Sequence, residues 1–70
     1  MYLFCVYSNP DDYLNKYVVR MWTIDSGRTQ ATQMVYIGDT LQELRRHKPS
    51  SMSIRVRLPN DDRTIIEYWV

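Results

Sequence analysis

Met52, Ile54, Val56 and Leu58 alternate strictly with Ser53, Arg55 and Arg57, a period of two that an extended strand with one wet face accommodates and a helix does not. Pro59-Asn60-Asp61-Asp62-Arg63 follows as a turn cluster, and the chain returns through Thr64 to Val70. Pairing Leu58 with Thr64 sets Val56 against Ile66, Ile54 against Tyr68 and Met52 against Val70 on an inner face. The same register puts Arg55 opposite Glu67 outside, so one hairpin satisfies face, charge and turn together.

The other elements follow from local chemistry. Tyr2 to Tyr7 is an unbroken apolar run closed by Ser8-Asn9-Pro10, the pattern of a central strand covered on both faces. Asn9, Pro10, Asp11 and Asp12 offer an N-cap, a first-turn proline and two acids favoured by the helix dipole, which predicts a helical turn or two from Pro10 to about Lys16. Tyr17 to Ile24 and Thr29 to Ile37 are β-rich and flank Ser26-Gly27, a two-residue hairpin loop. In that register Val19 faces Met34, Met21 faces Thr32 and Tyr17 faces Tyr36, with Arg20 and Gln33 on the other side. Thr40 and Glu43 are spaced as a capping box that opens a helix over about 40–48, ending before Pro49. Its apolar stripe is only Leu41 and Leu44, so it must lie on a sheet to persist. The order β(α)ββαββ predicts an α+β fold: a four- to five-stranded, mainly antiparallel sheet with one helix on a face. A ferredoxin-like arrangement with an extra strand and a β-grasp-like core preceded by the first strand both fit that order.

Seventy residues form one domain, 1–70, because a chain this short hides only about 60% of the surface its unfolded form exposes. An apolar fraction of 44% is that of a folded chain. The single cysteine, Cys5, excludes an internal disulfide and a cysteine-rich zinc site, and points to a reducing, cytoplasmic setting. The apolar start is broken at Ser8 and is too short for a signal peptide or a membrane span. A net charge of +1 sets up no strong field toward nucleic acid or an anionic membrane.

Catalysis lacks a residue set. Cys5 reads as a buried thiol, and His47, the only histidine, reads as a cation at the helix end. The Asp11-Asp12 and Asp61-Asp62 pairs are explained by capping and turn formation, and Gly27 and Gly38 draw no phosphate loop. The expectation is therefore a non-enzyme with no cofactor, no metal and no small-molecule substrate. No family motif is present; compactness without motifs is a trait shared with small phage- and mobile-element proteins.

Two surfaces point to partners. Nine aromatic residues in so short a chain exceed what its core encloses: six Tyr, two Trp and one Phe. By alternation Ile65, Glu67 and Trp69 face away from Ile66, Tyr68 and Val70, and together with Trp22 they suit a protein-binding surface, since exposed Trp, Tyr and Arg concentrate at interface hot spots. The competing reading is that the helix or the first strand covers Trp69 and Ile65. The leading function is a non-catalytic protein-binding module, an inhibitor, an adaptor or a self-associating homodimer, docking through a sheet edge and an Arg/aromatic surface. The alternative is nucleic-acid binding through Arg45, Arg46, Lys48, Arg55 and Arg57, if the helix end and the following strand present one basic surface.

Overall fold

The computed structural model describes residues 1–70. The elements are β1 (Tyr2–Ser8), β2 (Tyr17–Asp25), β3 (Arg28–Gly38), α1 (Leu41–Arg45), β4 (Ile54–Val56) and β5 (Ile65–Trp69). They build the expected small α+β fold, a five-stranded sheet in the order β3-β2-β1-β5-β4 with every neighbouring pair antiparallel. No parallel pair of the kind a split βαβ unit contains is present. No helix is long and apolar enough to cross a membrane.

β1 takes the centre with the longest run of consecutive buried apolar residues: Phe4, Cys5 and Val6 are all buried, on alternating faces. β3 and β4 lie at opposite edges and run in the same direction, so the connection between them crosses one face of the sheet, carrying α1 with it. Leu44 is the buried anchor of that crossing, packed with Phe4, Val6, Val19 and Trp69 into the core. Tyr17, Met21, Tyr36, Leu41, Met52 and Ile66 pack around it.

Local chemistry decides the connections. Ser26 and Gly27 both have positive φ, 50° and 80°, the twist-matched type I′ loop. The expected register holds from Asp25–Arg28 to Trp22–Ala31, then shifts at a bulge, so that Val19 faces Tyr36 instead of Met34. Thr32 stitches the bulge, its hydroxyl donating to the Met21 carbonyl at 3.0 Å and accepting from the Met34 amide at 3.1 Å. The capping box forms as expected: Glu43 N–H donates to Thr40 Oγ1 at 3.2 Å and Thr40 N–H to Glu43 Oε2 at 3.3 Å. The helix is shorter than the expected 40–48, giving way to turns after Arg45, and the stacking of His47 on Tyr36, with ring centroids 4.0 Å apart, holds its end to β3.

Two further expectations are corrected. No helix forms over Pro10–Lys16; Asn9 and Asn15 adopt positive φ, and the Asn15 amide donates to Asn9 Oδ1 at 2.6 Å, closing a loop in which the side chain takes the role a helical carbonyl would have had. The C-terminal hairpin is slipped by one residue, with Ile54 opposite Trp69, Arg55 opposite Tyr68 and Val56 opposite Glu67. A slip of one inverts every face: Trp69 and Glu67 turn inward and Tyr68 outward.

Candidate functional site

The face of the sheet away from α1 has no second layer. Leu3, Cys5 and Tyr7 of β1, Val18, Arg20 and Trp22 of β2, and Tyr68 of β5 point to it, as their cross-strand pairing requires. A bulge between Val6 and Tyr7 matches Tyr7 with Ile65, adding Ile65 to this face while Ile66 packs into the core. Val18 and Pro10 are buried, which fits a β1–β2 loop folded over one end.

The uncovered remainder holds two adjoining grooves. One of about 230 Å³ is apolar and lined by Leu3, Cys5, Tyr7, Trp22, Thr29, Ile65 and Tyr68. The other, of about 610 Å³, is lined by Tyr7, Pro10, Asp11, Asp12, Arg20, Trp22, Ala31, Asp62 and Thr64. Tyr7 and Trp22 form the wall common to both, and Arg20 is ion-paired with Asp12 at the polar rim.

The polar groups here are held in place. Tyr68 donates its hydroxyl to Asp61 Oδ2 at 2.7 Å, an oxygen that also accepts the Leu58 amide at 2.8 Å. These bonds hold the Asp61 carboxyl below its ordinary range, the Tyr68 bond foremost, while burial and the same bond push the Tyr68 hydroxyl up. Asp62 accepts the amide and hydroxyl of Thr64 at 2.9 and 2.8 Å, which lowers it likewise. Burial pushes the Cys5 thiol up to about 11 and the Tyr7 hydroxyl up to about 12. Cys5 is thus a protonated thiol at neutral pH, a state with little nucleophilic character. The site is built for shape and apolar contact, with carboxylates along its rim.

The residues expected at a protein-binding surface divide. Trp22 and Ile65 lie on this face, half-buried. Trp69 and Glu67 do not: Trp69 is fully buried and Glu67 is 4% exposed. Glu67 pairs with Arg45, not with Arg55, through Nη2 at 2.6 Å and Nε at 3.2 Å, and accepts the Trp69 indole N–H at 2.7 Å. Tyr7, Tyr68 and Arg20 belong to the face but were not singled out; the alternation in β1 and β2 carries that signal once β1 is placed at the centre.

The expected basic surface is dispersed. Arg45 is committed to Glu67, Lys48 donates to the carbonyls of Pro49 and Met52 at 3.2 and 2.6 Å, and Arg57 to those of Asp61 and Asp62 at 3.0 and 3.3 Å. Arg46 is exposed beside α1, whereas Arg55 lies on the opposite side of the sheet, across from Tyr68. No three His, Cys, Asp or Glu side chains are gathered as a metal site. Comparison with protein-family models, curated proteins and solved structures returned no match.

Proposed function

We propose that this chain is a non-catalytic protein-binding module, an inhibitor or adaptor that seats its helix-free sheet face on a partner protein. The observation that carries this reading is the Trp22–Tyr7 wall with Tyr68, Ile65 and Leu3 around it, an aromatic surface on a sheet face with no layer over it. Aromatic anchors flanked by arginine, here Arg20 and Arg55, are what interfaces concentrate at their centres. The accessible surface of 5173 Å² exceeds the roughly 4,650 Å² usual for a monomer of this mass, in keeping with a face awaiting cover. Asp11, Asp12, Asp61 and Asp62 along the same end repel a phosphate backbone, which favours protein over nucleic acid. The single free thiol at Cys5 suits a reducing, cytoplasmic setting.

The test is to immobilise the protein and its Trp22→Ala variant and compare what each retains, with and without nuclease. The expected result is a nuclease-resistant partner held by the wild type and lost by a variant whose circular dichroism is unchanged. A partner retained equally by both, or released by nuclease, overturns the proposal.

A further inference from the structure

β3 is the longest strand, 11 residues, and it lies at an edge of the sheet, so its outer row of amides and carbonyls has no strand beside it. Folded proteins guard such rows with charge, proline, brevity or a cover. The other edge is guarded: β4 has three residues, carries Arg55 and is followed by Arg57 and Pro59. From Thr29 to Gly38, β3 contains no charged residue and no proline. Its one irregularity is the bulge opposite Met21, which divides it into two regular halves, Arg28–Ala31 and Val35–Gly38.

The geometry points to a second copy of this chain as the occupant of that edge, the two β3 strands pairing antiparallel about a two-fold axis at Gln33 to make one ten-stranded sheet. The halves are mutually matched by face. An axis at Gln33 sets Ala31 opposite Val35 of the other copy, Gln30 opposite Tyr36 and Thr29 opposite Ile37. Ala31 and Val35 pair within the chain with Trp22 and Arg20, both on the helix-free face, whereas Gln30 and Tyr36 pair with Thr23 and Val19 on the helix side. Each cross-copy pair therefore joins like face to like face, and the two bulges meet at the axis. Charge agrees as well. Arg28 opens β3 and Asp39 follows it, so antiparallel pairing sets Arg28 of each copy opposite Gly38 and beside Asp39 of the other, twice per dimer, although the two lie at opposite ends of β3 within one chain. Asp39 pairs with Lys16 of its own chain, but its side chain is 73% exposed and has room for a second cation. A net charge of +1 per copy offers little repulsion, and Met34 and Ile37, both nearly half exposed, gain neighbours.

Sedimentation equilibrium at concentrations up to about 1 mM tests this, with circular dichroism checking the fold of every variant. The wild type is expected at twice 8.5 kDa. Arg28→Glu and Asp39→Lys should each weaken association about 10-fold, because two contacts become repulsive, and the double variant should return it to within about 3-fold of wild type. That rescue is available only between copies. Gln33→Lys, an exposed change that sets two like charges side by side at the axis, should give a monomer without disturbing the fold. A wild type that stays monomeric throughout overturns the inference. So does a dimer indifferent to Gln33→Lys and to both reversals, and one abolished by Trp22→Ala while Gln33→Lys leaves it intact assigns association to the helix-free face instead.

Discussion

The indole N–H of Trp69 donates to the carboxylate of Glu67 at 2.7 Å, so a fully buried tryptophan and the one buried acid satisfy each other two residues apart on β5. Arg45 completes the arrangement from the helix with two bonds to the same carboxylate. A charge in the core is tolerable only when its lone pairs are used, and here three donors use them. Burial works to raise the Glu67 carboxyl, but the bonds from Arg45 and Trp69 outweigh it and hold the group below its ordinary value.

Removing the two partners should not cost the same. Arg45→Ala leaves an ionised Glu67 buried with one donor, an expected loss of about 2–3 kcal/mol after allowing for the partly exposed guanidinium. Glu67→Gln leaves Arg45 free to reach water and retains an acceptor for Trp69, at about 1 kcal/mol. Urea denaturation of both variants checks the order, and a larger loss in Glu67→Gln would contradict it.

Acid should weaken the fold through the same carboxyl. A folded-state pKa below the ordinary 4.5 means the unfolded chain binds the proton more readily, so the stabilisation is whole above about pH 5 and falls as pH drops through the lowered value. Asp61 and Asp62 are lowered too and act in the same direction. The measurement that isolates Glu67 is the difference in melting temperature between wild type and Glu67→Gln, which should shrink from pH 6 to pH 3.

The two tryptophans should separate cleanly. Trp69→Ala empties a fully buried site and is expected to cost about 3–5 kcal/mol, a large part of the stability a chain this size commands. Trp22→Ala, half-buried on the helix-free face, should cost less than about half as much. Equal losses in denaturant midpoint would mean that Trp22 is a core residue and not an anchor for a partner.

Within the sheet, position should matter more than hydrophobicity. Val6 is fully buried and Val6→Ala is expected to cost about 2–3 kcal/mol, whereas Ile54, 41% exposed although it removes more methylenes, should cost about 1 kcal/mol when changed to Ala. Thermal unfolding of the pair decides the ranking.

That last contrast shows where the sequence was readable and where it misled. The apolar continuity of Tyr2–Tyr7, the Ser26-Gly27 loop and the Thr40–Glu43 box each rest on chemistry local to a few residues. The loop and the box form as read, and the strand takes the centre as read, although only its helix side is covered by a second layer, leaving Leu3 and Tyr7 half-buried. The alternation of Met52, Ile54, Val56 and Leu58 is equally local, yet Val56 is 81% and Leu58 64% exposed, because β4 is a three-residue edge strand. With so few pairs to fix it, the register is set from β5. There both faces carry large apolar groups, Ile65 and Tyr68 on one, Ile66 and Trp69 on the other, so period two cannot say which is inside. The bulge at Ile66 hides the answer further by putting two successive residues on the core side. The open aromatic face was legible in composition, and Trp22 and Ile65 do lie on it, but Trp69 and Glu67 were expected there and are buried on the other side, since its position depends on knowing that β1 is flanked by β2 and β5.

The central place of β1, between its neighbour in sequence and the last strand of the chain, has a kinetic consequence. β1, β2 and β3 are joined by short loops and can assemble as a meander, but the core is open until β5 arrives to lay Trp69 against Phe4, their rings 5.7 Å apart. That contact closes nearly the whole chain into a loop, and its entropic cost falls before any of its reward. Folding should therefore be slow for so small a chain, with docking of β5 late in the barrier crossing. Until then β1 and β3 each stand with a bare flank, so the interval before β5 docks is when this chain is most prone to join the wrong neighbour.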